Sequence, residues 1–425
     1  MKSILLFLSL LPIVAYGIVC RSDYTMINGR LCLKYYPIVV PHSAAEQQCK
    51  LDGGTLFTVQ NAIDNRAITE WISATNAQQV WMGLSVFGDS PLLTYWDDNS
   101  GVAVYNNFHP PYPNEKFNSH CAALLVNANQ GSTRGQWISS TCNNQNNTSA
   151  LQRPYICQVP PTYSYSPCDI NYNGYCYWRS KVLVNGTKLN QAQAAAACSQ
   201  RGAQLVSIHS KMENDFIKLQ YRGTTIQNIF IGAVRQSALT YKWADGTYWD
   251  FAYIHPFSNY SKPCLMMSVN VGSVGLWNGV DCSEELDFLC KQKISPTVAV
   301  PEQLKSPAKS PPAILDFSSC NSTLILRYPN MFSSNPYNSI PTTYCSWRLL
   351  ALGPYQIGIY FNSWITNGVL DIYDEFDNNI GHFAGTAQRE PFSVITPFNI
   401  ARVTFTPASH VTEDDRGFVA SVLPV

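Results

Sequence analysis

Apolar and polar positions along this chain trace two stretches with one shared order of elements, then a third stretch of a different kind. In the first, residues 43–49 have helical spacing behind Ser43, a predicted N-cap, and lead through Gly53 and Gly54 into an alternating strand at 55–59. A helical stripe of Ile63, Ala67, Ile68 and Trp71 follows, which the spacing assigns to the core. The second stretch repeats this order. Asn190 caps residues 191–198, Gly202 leads into 203–208, and Met212, Phe216, Ile217 and Leu219 form the stripe. Next come matched strands at 80–84 and 229–233, whose Gly83 and Gly232 mark places where another chain segment passes closely. Residues 95–98 and 241–249 then read as a strand meeting a turn. From Cys320 onward the pattern becomes short alternating runs at 323–326, 357–361, 370–373, 401–405 and 417–420, broken by Pro, Gly and Asn, as in an all-β sandwich.

At 425 residues the chain is long enough for about three domains. Its 28 basic and 28 acidic residues cancel, and 13% charged positions leave no electrostatic footprint for nucleic acid or an anionic membrane. Residues 1–17 read as a signal peptide, with Lys2 before an apolar run and small residues at its end. No later stretch is predicted to span a membrane. The fourteen cysteines imply an oxidising compartment, and no Cys-x-x-Cys or His-x-x-x-His pattern accompanies them, so no metal cluster is expected. Asn146, Asn147, Asn185, Asn259 and Asn321 head glycosylation sequons.

The cysteines fall in two sets of six with one rhythm: Cys20, Cys32, Cys49, Cys121, Cys142 and Cys157, then Cys168, Cys176, Cys198, Cys264, Cys282 and Cys290. Together with the helix-Gly-strand-helix opening, the Trp81-Met82-Gly83-Leu84 strand, the Trp243-Ala244-Asp245-Gly246 turn and the closing Phe288-Leu289-Cys290, they resemble a C-type lectin-like domain, present twice. The resemblance implies an α+β fold with a long loop region. It also implies disulfides Cys20 to Cys32, Cys49 to Cys157, Cys121 to Cys142, Cys168 to Cys176, Cys198 to Cys290 and Cys264 to Cys282, where six cysteines alone allow about 15 pairings per set. The Tyr328-Pro329-Asn330 segment, Cys345 with Trp347, the strand ending at Asp374, and Gly417-Phe418 resemble a CUB domain with one disulfide, Cys320 to Cys345. The expected organisation is a signal at 1–17, lectin-like domains at 18–158 and 168–292, linkers at 159–167 and 293–316, the second rich in proline, and a CUB-like domain at 317–425.

No His-Glu-x-x-His, Gly-x-Ser-x-Gly or phosphate loop is present, and His42, His109 and His255 sit beside prolines where turn roles are expected, so the chain is not expected to be an enzyme. Sugar-binding relatives hold calcium with a Glu-Pro-Asn or Gln-Pro-Asp loop triplet and a Trp-Asn-Asp strand triplet. Here these positions align with Tyr112-Pro113-Asn114 and Trp137-Ile138-Ser139 in the first domain, with Glu115 one residue away. In the second they align with residues 255–259 and Trp277-Asn278-Gly279. Calcium takes six to eight oxygens, several ionised, and most are missing, so no cofactor is expected. The CUB-like unit lacks the family's calcium set too. Asn367, Gly368, Pro407 and Ala408 occupy its positions, and Asp371, Asp374 and Glu375 are read as strand-end and turn residues. Tyr112, Asn114, Trp277 and Asn278 are the ligand-binding candidates. Tyr105, Tyr253 and Tyr260 are expected in the loops, and most tryptophans in the core. Three functions follow: a secreted, calcium-free recogniser of extracellular glycans, glycoproteins or microbial surfaces in innate defence; a calcium-dependent lectin; or a matrix or assembly protein.

Overall fold

The computed structural model describes residues 17–114, 119–127, 133–142, 152–163, 168–237, 240–294, 317–318, 320–334, 341–353, 355–386, 390–410 and 415–425. The leader up to residue 16, Glu115, Asn146, Asn147 and most of the Pro-rich linker lie outside them.

Two sheets share one topology. The first runs Thr25–Ile27, Leu31–Val40, Arg153–Val159, Gln79–Val86, Cys121–Leu125 and Trp137–Ser140 in spatial order. The second runs Ile170–Tyr172, Tyr175–Arg179, Asp287–Lys293, Asn228–Arg235, Cys264–Ser268 and Trp277–Val280. In both, the central pair is parallel and brings the last strand of the unit beside a middle one. The glycines explain themselves at this point. A Cβ on Gly83 would lie 2.6 Å from the Leu56 carbonyl oxygen, and one on Gly232 would lie 2.5 Å from that of Leu205, so only hydrogen fits.

Asn190 caps the helix Gln191–Ser199 in a capping box with Gln193. Ser43 does not cap the helix His42–Leu51, because that helix begins one residue earlier, behind Pro41, whose carbonyl accepts from the Ala45 N–H at 3.1 Å. His42 is therefore no turn residue. It is buried at the helix start, where its Nε2–H donates to the Met82 carbonyl at 2.8 Å. The helix Ala62–Ile72 is turned slightly from its expected face: Ile68 lies in the core with Ala67 and Trp71 packed against it, but Ile63 is 69% exposed, while Asp64, Asn65, Thr69 and Ile72 are buried. Polar partners inside the unit pull it round, since Asp64 pairs with Arg30 and Asn65 with a core tryptophan.

Among its described residues the C-terminal unit has strands joined by turns and no helix. The runs at 357–361 and 370–373 are one continuous strand, Ile357–Asp374, with a register shift between Phe361 and Ser363. Its first half pairs with Gly417–Pro424 and Phe392–Ile395, and its second with Asn379–Thr386 and Ile400–Thr406. Trp347, Trp364, Phe361 and Phe418 pack between these pairings. Disulfides join Cys20–Cys32, Cys49–Cys157, Cys121–Cys142, Cys168–Cys176, Cys198–Cys290, Cys264–Cys282 and Cys320–Cys345.

The three units pack on one another. The expected linker at 159–167 contributes a short strand, Thr162–Tyr163, paired with Ile18–Val19. The Asn99 side chain and carbonyl accept from the Arg327 guanidinium at 2.7 and 2.9 Å, and the Gly353 N–H donates to Asp97 Oδ1 at 3.1 Å. Phe87 shares a small core with Leu350, Leu352 and Ile400. Tyr360, Leu423 and Val425 complete the core of the second unit.

Candidate ligand-binding face

Each of the first two units lays a long loop across its last short strand. In the first, the His109 N–H donates to the Trp137 carbonyl at 2.9 Å, and the Trp137 N–H donates to Asn107 O at 2.9 Å. Tyr105 and Phe108 stand edge-on to the Trp137 ring at 5.6 and 5.5 Å. The Asn114 N–H donates to Ser139 Oγ at 3.1 Å, and the Ser139 hydroxyl donates back to Asn114 O at 2.8 Å. The Pro110–Pro111 and Tyr112–Pro113 peptides are cis. Tyr112 and Asn114 are half-buried, whereas Val104 at the loop start is 91% exposed.

The second unit repeats this strap. The His255 N–H donates to Trp277 O at 2.8 Å, the Trp277 N–H to Tyr253 O at 2.9 Å, and the Gly279 N–H to Ser258 Oγ at 2.8 Å. Its loop does not stand free. His255 and Phe257 lie against the Tyr360 ring at 5.3 and 5.6 Å, the Tyr253 hydroxyl donates to Pro424 O at 2.7 Å, and Asn362 Nδ2 donates to Pro256 O at 3.4 Å. Burial against this neighbour pushes the His255 pKa down. Among the described residues of the first unit's loop, 102–114, the ring and hydrogen-bond contacts stay within that unit.

Two aromatic expectations are corrected here. Trp277 is fully buried, its Nε1–H donating to Asn214 Oδ1 at 2.8 Å among Trp243, Trp249 and Phe251, so its ring cannot touch a surface ligand. Tyr253 is buried under the C-terminal unit. Asn278 remains half-buried on its strand, as do Tyr105 and Tyr260 in the loops. Asn185, Asn259 and Asn321 are exposed.

The donor set of the described residues does not fit calcium. In the first unit the described residues at the loop and strand offer a phenol, an amide and a hydroxyl, all neutral. In the second, a Cβ at Gly279 would overlap the Asn259 carbonyl oxygen, so backbone fills the space in which a carboxylate would stand. The nearby Asp281 is paired with Lys262 at 2.5 Å. In the C-terminal unit Asp374 accepts from Phe376 N, Asn378 N and Asn378 Nδ2, closing a turn. Asp371 accepts from His382 Nδ1 at 2.7 Å and Asn379 Nδ2 at 2.9 Å. No group of three or more His, Cys, Asp or Glu among the described residues has a metal-holding arrangement.

Sequence reasoning missed the residues that hold the strap in place. Asn65 and Asn214 each accept from the buried tryptophan under the loop, at 2.8 Å in both units. A repeated acid-Asn pair, Asp64-Asn65 and Glu213-Asn214, was the available signal. It also missed a buried carboxyl pair. Glu46 Oε1 and Asp97 Oδ2 are buried without hydrogen-bond partners, and burial pushes both pKa values up, that of Asp97 to about 7.

The family model described as Lectin C-type domain matches residues 40–158 and 187–292, just over half of the chain. C-type lectin domain-containing protein 38 of Caenorhabditis elegans is 31% identical over 284 residues, covering 65% of this chain and 68% of that protein. Human C-type mannose receptor 2 is 24% identical over 262 residues, which span 57% of this chain and only 16% of the receptor. A solved structure of a herring type II antifreeze protein is similar over 31% of this chain and 100% of that one, at 26% identity and a TM-score of 0.27. Among the described residues no helix is long and apolar enough to cross a membrane. With its two matched segments and its repeated disulfide-linked units, the chain belongs to the C-type lectin domain family.

Proposed function

We propose that this is a secreted binding protein that recognises a glycan or protein ligand without calcium, through the loop of its first lectin-like unit. Family membership supports binding of such ligands. The observation that carries the choice of unit is the asymmetry between two equivalent loops: the described residues 102–114 of one make their contacts within their own unit, and the other is packed on Tyr360 and Pro424. Tyr112 and Asn114 are the residues we assign to the ligand, with neutral donors and acceptors in place of an ion. We read the C-terminal unit as a CUB-like sandwich that braces the second lectin-like unit. Innate defence at microbial surfaces is the role we infer by analogy of architecture.

The test is binding of the full chain to a glycan array and to bacterial cells, in calcium and in chelator. Binding that survives chelator and falls on Tyr112→Ala supports the proposal. Binding abolished by chelator favours a calcium-dependent lectin, and self-association without binding favours an assembly role.

A further inference from the structure

A cleft of about 480 Å³ opens where the three units meet. The first unit contributes Lys50 and Leu51 at the end of the helix His42–Leu51, and the second contributes Lys218 and Leu219 from the helix Lys211–Leu219 with Arg222 beyond it. Val269, Val271 and Val274 form a side wall, and Val425 of the C-terminal unit closes the far side. The volume falls in the range of small-molecule sites, about 300 to 1,000 Å³.

Charge selects the ligand class. Asp215, the acid in the lining, is already matched: Lys211 Nζ lies 2.5 Å away, the Tyr355 hydroxyl 2.8 Å, and Lys50 Nζ 3.4 Å. Lys218 and Arg222 make no ion pair within the described residues, so the cleft carries surplus positive charge. Burial depresses the Lys218 pKa, a cost that a bound anion would offset. Apart from the amides Gln47, Asn270 and Gln356 the remaining lining is aliphatic, and Val271 at the rim is 81% exposed. Isolated apolar side chains are common at surfaces, but here Val271 continues an aliphatic wall that runs into the cleft.

We propose that this cleft binds a small amphipathic anion, with a carboxylate or sulfate head at Lys218 and Arg222 and an aliphatic body against Leu51, Val274 and Val425. The site is separate from the loop assigned above. Because its walls come from all three units, an occupant holds them together and stabilises the packed state.

The probe is decanoate, titrated into the full chain by calorimetry, with 1-decanol and acetate as controls. One site per chain is expected, with both controls at least about tenfold weaker, since each lacks one half of the recognition. The double variant Lys218→Gln/Arg222→Gln should weaken decanoate by about tenfold or more while keeping the parent's melting temperature without ligand. Its glycan-array profile should match the parent's, which separates failure here from failure of the loop reading. The proposal is overturned if decanoate shows no saturable binding, if decanol or acetate binds as well, or if the double variant binds decanoate like the parent.

Discussion

Buried polar side chains decide much of this structure residue by residue, and they are the part that periodicity hides. The acid pair Glu46 and Asp97 lies at the seam with the C-terminal unit, with Asp97 accepting from the Ser85 hydroxyl at 2.5 Å and the Gly353 N–H at 3.1 Å. With its folded pKa raised from 3.8 to about 7, Asp97 keeps its proton in the native state over a range in which the unfolded chain has lost it. The native state therefore binds more protons across that window, and stability falls as pH rises through it. Asp97→Asn keeps the acceptor oxygen and removes the charge. Melting curves from pH 4 to pH 8 should show the parent losing stability relative to this variant as pH rises; a pH-independent difference would remove the pair from the account. Asn214→Leu leaves the Trp277 Nε1–H buried without an acceptor and should cost about 1–3 kcal/mol in denaturant unfolding. Sequence spacing assigned Ile63 to the core because it cannot register that Asp64 and Asn65 have partners across the fold.

Among the elements, the strands and helices with a strong local pattern were legible, and so was the repeat that relates them. The close-approach glycines were readable because both copies place glycine at the same point of the same strand. The cysteine pairing implied by the family resemblance coincides with the seven disulfides of the structure. The long strand Ile357–Asp374 was not legible, because it changes partners midway and its apolar pattern breaks at the register shift between Phe361 and Ser363. The loops were the least legible, since hydrogen bonds to the neighbouring strand set their course. Gly279→Asp supplies the carboxylate of the family's calcium triplet, yet the Asn259 carbonyl occupies its space. This variant should bind no calcium by calorimetry and should lose about 1–3 kcal/mol to overpacking. A gain of calcium affinity with unchanged stability would show that the loop is not fixed there.

For the whole molecule, the arrangement of the units places two loops of equivalent position in the repeat in different surroundings. The C-terminal unit takes the second loop into an interface, while the described residues 102–114 of the first make their contacts within their own unit. The C-terminal unit is also held to the second unit by a charged hydrogen bond, the Tyr355 hydroxyl to Asp215 at 2.8 Å, and to the first unit by the Asn99–Arg327 contact. Calorimetric unfolding of the parent should show one transition. Tyr355→Phe combined with Arg327→Ala should release a separate, lower transition, since hydrogen bonds to charged groups contribute about 1.5–3 kcal/mol each. Two transitions already in the parent would contradict such coupling. The central claim, recognition without a bound ion, is tested most directly by melting the full chain in millimolar calcium and again in chelator, because any ion held by the native state alone must stabilise it. The account predicts superimposable curves, and a higher melting temperature in calcium would contradict it.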